Sequence, residues 1–202
     1  SGAYLDLTTE TKQLLIIGGG AAGLTSAIFA SRMGLDTVLF ERLMPGGQVI
    51  NAEKIEDYPG IPESISGAEL VGNMQMQAMS YGTDIVLEEV ISLSKFSDLV
   101  NVETTEKTYM ANAVIIAGGS TLRKLNVPGE DKFVGHGVSY CATCDGAFFL
   151  DQDVCVVGGG DSALEEAITL TEFASAVTIL CKNQNLHGQQ ILQDRVGSND
   201  KI

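Results

Sequence analysis

Two cysteines stand two residues apart in Ser139-Tyr140-Cys141-Ala142-Thr143-Cys144-Asp145-Gly146-Ala147-Phe148-Phe149, with a carboxylate directly after the second. Thiols one turn apart can close a small-ring disulfide. A helix starting at the first thiol has a partly positive N-terminus and, with a neighbouring acid or base, favours one thiolate over the other. The spacing therefore predicts a redox pair. Two plainer readings compete with it: half of a zinc site, or two unpaired thiols in a core. Tetrahedral zinc needs a second ligand pair, and Cys155, Cys181, His136 and His187 are not spaced as one. No metal is expected.

A dithiol needs a source of electrons, and two stretches of the chain have the pattern that holds one. Gln13–Ile17 reads as a buried strand, Gly18-Gly19-Gly20-Ala21-Ala22-Gly23 as a turn, the residues to about Met33 as a helix, and Thr37–Phe40 as a second strand. Such a βαβ unit cradles a pyrophosphate on Gly18, Gly20, Ala21, Ala22 and Gly23. Glu41, at the end of its second strand, is placed to accept from a ribose hydroxyl. An ordinary Gly-rich turn is the alternative. The pattern returns at Asp153–Val157, Gly158-Gly159-Gly160-Asp161-Ser162-Ala163, a helix to about Phe173 and a strand over Ala176–Cys181. Two dinucleotide turns with Cys-x-x-Cys between them imply two nucleotides and a dithiol exchanging electrons.

Between the two turns, Met44-Pro45-Gly46-Gly47-Gln48 reads as a turn passing close to a ligand, followed by the Pro-punctuated Tyr58-Pro59-Gly60-Ile61-Pro62. A helix is predicted over Gly67–Ser80, with Leu70, Val71, Met74 and Met79 as its core stripe. Asp84 to Ala117 reads as an antiparallel meander ending on Ala113–Ala117, and Gly118-Gly119 as backbone approaching a ligand. Cys155, inside an apolar strand, is expected to be an inert core residue.

The 202 residues, 45% hydrophobic with 23 glycines, describe a globular α/β chain of one or two domains. A net charge of -14 with only 12 Lys and Arg excludes nucleic acid and anionic membrane as partners, because neutralising phosphates needs clustered cations. No apolar run reaches the length of a membrane helix. No basic region followed by an apolar core opens the chain, so no secretion signal is expected; Ser1-Gly2 reads as a cloning scar. Cysteine usage suits the reducing cytoplasm.

Together, Gly18 to Gly23, Gly46-Gly47-Gln48, Cys141-Ala142-Thr143-Cys144-Asp145-Gly146 and Gly158 to Glu166 make the chain resemble a low-molecular-weight, bacterial-type thioredoxin reductase from Lys12 to Ile202. The resemblance implies a Rossmann-like FAD-binding domain over 1–119, parallel sheet plus antiparallel meander. It implies an inserted NAD(P)H domain over 120–202 carrying the redox box, and homodimerisation. It assigns FAD to Gly18, Gly20, Ala21, Ala22, Gly23, Glu41, Arg42, Gly46, Gly47, Gln48, Asp57, Val90, Ala117, Gly118 and Gly119. The nicotinamide coenzyme falls to Gly158, Gly160, Asp161, Ser162, Ala163, Glu165 and Lys182. It implies that electrons pass from NAD(P)H through FAD to the Cys141–Cys144 disulfide and on to thioredoxin. Cys144 would face the flavin, and Asp145 would act as the acid that protonates a leaving thiolate. Phe148 and Phe149 resemble an aromatic wedge that receives thioredoxin, with core packing as the alternative.

The chain departs from the family pattern at four places. It ends within the nicotinamide domain, before that domain's later strands and the returning Gly-Asp segment. Cys181-Lys182-Asn183 and His187 stand where His-Arg-Arg and a further Arg grip a 2′-phosphate, which predicts weak discrimination between NADPH and NADH. Asp57 replaces an Asn, and His136 replaces an Arg, either as a pH-dependent cation for thioredoxin docking or as a solvent-facing loop residue. Two functional alternatives remain: a flavin-binding module or fragment without turnover, and a thiol protein without cofactor.

Overall fold

A computed structural model describes residues 11–202; the reading of Ser1-Gly2 lies outside them. The chain divides into two compact units between Thr121 and Leu122.

The first unit begins with β1 (Thr11–Ile17), α1 (Ala21–Arg32) and β2 (Thr37–Phe40). It continues through α2 (Gly67–Ser80), β3 (Asp84–Val86), β4 (Val90–Phe96), β5 (Leu99–Thr104) and β6 (Thr108–Ile116). The sheet order is β3-β2-β1-β6-β5-β4. β1 pairs parallel with both β2 and β6, so Ile17 lies level with Phe40 on one side and Ile116 on the other. Both faces of β1 are covered, which explains an unbroken buried run where a half-solvated strand would alternate. Leu14 and Ile16 pack with Leu24, Ala27, Ile28, Leu39, Leu70 and Met74 on the helical side. Leu15 points to the opposite face, against Val38, Phe40, Val102, Tyr109 and Ala111.

Two expectations are corrected here. The meander begins later than Asp84: β3 pairs parallel with β2, and only β4, β5 and β6 run antiparallel to one another. A parallel neighbour needs a crossover of a dozen or more residues, which α2 supplies between β2 and β3. On α2 the buried stripe is Leu70, Val71, Met74 and Ala78, while Met79 is 56% exposed. The run 70, 74, 78 follows the helical repeat, and Met79 falls past its edge. Ser66 caps α2 by accepting from the Glu69 amide at 3.2 Å, the arrangement a helix N-terminus favours.

The second unit holds the short helices α3 (Glu130–Phe133) and α4 (Ala142–Asp145), then β7 (Asp153–Val157), α5 (Asp161–Leu170), β8 (Ala176–Leu180) and α6 (Gln190–Gly197). β7 and β8 pair parallel, Asp153 beside Ala176 and Val157 beside Leu180. Leu164 of α5 is fully buried against Leu192 and Val196 of α6. Val154 and Val156 face the cluster of Ala167, Ala174 and Val177. Cys155 is exposed, contrary to the expected core position. Side chains alternate along a strand, so when Val154 and Val156 turn toward α5, Cys155 must turn away from it.

Candidate active site

In the first unit, the strand ends bring the N-terminal glycine turn, Glu41, the Gly46-Gly47 turn and Ala117 together. Gly18 takes φ +105, a conformation that favours glycine, and a Cβ there would lie 2.3 Å from the Ala117 carbonyl oxygen. The Gly18 amide donates to Phe40 O at 2.8 Å, and the Ala117 amide to Ile17 O at 2.8 Å. These bonds fix the turn between the ends of β2 and β6. Gly46 donates to Gly19 O at 2.8 Å, and a Cβ at Gly47 would lie 3.2 Å from Gly20 Cα, so the two glycine turns abut. Gln48 reaches the Ser120 carbonyl at 3.4 Å.

Glu41 is not free to answer a ligand with its whole carboxylate. Its Oε2 accepts from the Gly19 amide at 2.8 Å and its Oε1 from the Leu43 amide at 3.2 Å. An ionised carboxylate has about four lone-pair sites, so acceptor capacity remains for a hydroxyl. α1 has no side-chain cap at Gly20 and no acid in its first turn. A Cβ on Gly20 would meet nothing nearer than 3.8 Å, and Gly118 and Gly119 have no atom within 4 Å of the corresponding point. A helix start without a side-chain cap, with open space over Gly20, Gly118 and Gly119, gives the shape and polarity a dinucleotide phosphate requires. Arg42 is exposed beside this turn. Asp57 is exposed on the loop through Tyr58 and Pro62, and Val90 is half-buried on the cluster of Leu15 and Phe40.

The second unit carries the other glycine turn and the cysteines. Gly158 takes φ +149, and its Cβ would sit 2.8 Å from that of Ala163, leaving room for nothing larger at either position. The loop after β8 folds over this turn: the His187 and Gly188 amides donate to Gly159 O at 2.8 and 3.1 Å. The Asp161 carboxylate accepts from the Gln189 amide at 2.5 Å, so this expected coenzyme contact first of all anchors the loop. The His187 ring lies against the space a side chain on Gly159 or Gly160 would fill. Ser162, Glu165 and Lys182 are exposed around it.

Cys141 and Cys144 form a disulfide. Cys141 is the N-cap of α4, and its sulfur accepts from the Cys144 amide at 3.2 Å. Ser139 Oγ accepts from the Cys141 amide at 3.1 Å and donates to Asp145 Oδ2 at 2.6 Å, tying the acid to the turn. Gly146 is buried, and a Cβ there would meet the Phe173 ring at 2.7 Å. From α5, Glu166 reaches across and accepts from the Ala142 amide through Oε2. Burial raises the Glu166 pKa, with the Ala142 amide opposing. Ser139 and Glu166 are the two residues that sequence reasoning left without a role. Phe148 is 78% exposed and Phe149 half-buried, so the aromatic pair divides between surface and packing. Among the described residues, no group of three or more His, Cys, Asp or Glu converges to hold a metal. No helix among them is long and apolar enough to cross a membrane.

The profile of the pyridine nucleotide-disulphide oxidoreductases matches residues 12–198. The chain belongs to this family. Among the oxidoreductases it resembles is a thioredoxin reductase of Bacillus subtilis, 46% identical over 94% of this chain and 60% of the relative. A bifunctional thioredoxin reductase/thioredoxin of Mycobacterium leprae is 43% identical over 94% of this chain and 42% of the relative. A crystal structure of Lactococcus lactis thioredoxin reductase superposes with a TM-score of 0.90 at 41% identity, covering 95% of this chain and 63% of that one. The chain thus spans about 60% of the length of the Bacillus relative. Both glycine turns and the cysteine pair lie within the residues this oxidoreductase profile matches.

Proposed function

We propose that the chain works in a flavin-dependent disulfide reductase that moves electrons from NADPH or NADH through FAD to the Cys141–Cys144 disulfide and on to thioredoxin. The observation that carries this reading is the disulfide, formed at the start of α4 with an acid held beside it. The unit ending at Thr121 is read as FAD-binding and the unit beginning at Leu122 as nicotinamide-binding, each through its own glycine turn.

FAD, when bound, supplies the two-electron relay that a dithiol cannot make directly with a nicotinamide. The chain's part is to hold and protonate. Backbone amides at Gly20, Ala21 and Ala22 would carry the pyrophosphate, with Glu41 available to a ribose hydroxyl. Gly46, Gly47, Gln48, Gly118 and Gly119 would let the backbone lie close to the flavin, with Asp57 and Val90 as further contacts. The disulfide takes up two electrons and two protons to become two thiols, and Asp145 would supply one of those protons. Gly158, Gly160, Asp161, Ser162, Ala163 and Glu165 would meet the coenzyme, with Lys182 as the fixed cation for its adenosine end.

A thioredoxin partner is supported by the similarity to thioredoxin reductases, one of them fused to thioredoxin. The exposed Phe148 gives that partner an apolar contact. Homodimerisation is proposed on the resemblance, and a cytoplasmic location on the cysteine usage. The test is thioredoxin reduction with NADPH, followed by the same assay on Cys144→Ser. The native protein should be yellow and active, and the variant yellow and inactive. A variant that still reduces thioredoxin would remove the cysteine pair from the electron path.

A further inference from the structure

The Glu166–Ala142 bond ties a carboxylate of α5 to the amide of the residue directly after Cys141, the first amide of the redox turn. Glu166 is half-buried on α5, and the element it holds, α4, is a single turn that packs on α5. An amide at this position has two calls on it. With the disulfide closed it donates to Glu166. Once the cysteines are reduced, a thiolate at the N-cap sulfur of Cys141 would be stabilised by the N–H groups of the same turn and by any nearby positive charge. Glu166 offers the opposite: it occupies one donor and adds a negative charge.

We propose that Glu166 is a positioning residue that holds the redox turn against α5 and, by its charge, keeps the reduced pair in the thiol form. The inference rests on the redox reading of Cys141 and Cys144. Its consequence for the reaction is that the two protons accompanying the two electrons stay on sulfur, and Asp145 is not left facing a stable thiolate. The raised Glu166 pKa, caused by burial, fits a carboxylate whose ionised form is paid little by its surroundings beyond the Ala142 amide. The other ionisable groups around the turn are Asp145, bonded to Ser139, and Glu130, which accepts from the Tyr140 hydroxyl at 2.8 Å. Glu165 is exposed on α5, and the nearby cation Lys124 is engaged with Asp131 at 2.6 Å. Among the described residues, the bond to the amide beside Cys141 is the one from Glu166.

Glu166→Gln keeps an acceptor for the Ala142 amide and removes the charge, whereas Glu166→Ala removes both. The measurement is the pH dependence of iodoacetamide alkylation after reduction by dithiothreitol, read peptide by peptide at Cys141 and Cys144. It requires neither flavin nor coenzyme, so it stands apart from the proposed electron path, whose failure would appear in the thioredoxin assay. The expected result is an alkylation midpoint lower in both variants, by roughly one pH unit or a tenfold change in the thiol–thiolate ratio. Circular dichroism should be unchanged in Glu166→Gln. Midpoints equal to the native protein in Glu166→Gln would overturn the charge role, whatever Glu166→Ala does. A midpoint that falls in Glu166→Ala alone would reduce Glu166 to a structural tether.

Discussion

Gly23 in α1 separates two effects of opposite sign. In an open helix position, replacing glycine by alanine helps by about 1 kcal/mol, because alanine loses less backbone freedom on folding. At Gly23 the added Cβ would stand 3.0 Å from Gly18 C and only 1.8 Å from Gly18 O, the latter more than an ångström inside any real contact. Gly18 is held in place, since its amide is bonded to Phe40 O and the Ala117 carbonyl fills the space beside it that a Cβ would take. Relief must come from sliding α1 off β1, and overpacking of this kind costs about 1–3 kcal/mol or more. Packing therefore outweighs propensity, and Gly23→Ala should lose about 2 kcal/mol net. For a chain of this length that lowers Tm by roughly 4–8 °C. Gly72 in α2 is the control: no atom lies within 4 Å of its added Cβ, so Gly72→Ala should gain about 0.5–1 kcal/mol. Gly20→Ala adds the third point, because its Cβ clears every protein atom by 3.8 Å yet points where a phosphate would lie. It should melt like the native protein and lose bound flavin. Thermal melts by circular dichroism with flavin fluorescence read all three. A Gly23→Ala protein as stable as Gly72→Ala would refute the account of how this turn is packed.

The remaining predictions concern other sites. Met74→Ala should cost about 2–5 kcal/mol and Met79→Ala less than about 0.5 kcal/mol in denaturant melts, since only the first is buried. The Leu125 amide, followed by the Tyr140 hydroxyl, holds the Glu130 carboxyl below its ordinary pKa. A folded pKa below the unfolded one means its stabilisation is present above about pH 4.3 and is lost as pH falls through the folded value. Glu130→Gln should therefore flatten the acid limb of the stability profile, and an unchanged limb would exclude Glu130 as its source. Because Lys182 and His187 replace a cluster of arginines, NADPH and NADH should reduce the flavin within about tenfold of each other in stopped flow. A preference beyond a hundredfold would contradict this.

The sequence made most of the site legible, because its parts are short patterns with strict local requirements. The glycine turns, their flanking strands and the cysteine pair all follow from spacing. What was missed depends on partners distant in the chain. Asp84–Val86 looks like the start of a meander until α2 carries it round to lie parallel with β2. Cys155 sits in an apolar run that does not say which face of β7 a helix will cover. α6 has Leu192 and Val196 as its only buried residues, too thin a stripe to stand out without Leu164 opposite it. Glu165 and Glu166 are adjacent acids, and only the phase of α5 against α4 decides that the second one grips Ala142. Glu41 was expected to serve a ribose, and folding first gives it the Gly19 amide.

The central claim is that electrons entering from a nicotinamide end on Cys141 and Cys144. An anaerobic titration of the flavin-loaded protein with NADPH, quenched with a mass-tagged alkylating agent at each point, measures this directly. The account predicts that the yellow absorbance bleaches and that two labels appear per chain, on Cys141 and Cys144, while Cys155 and Cys181 label equally with and without NADPH. Bleaching with no new label on Cys141 and Cys144 would contradict it.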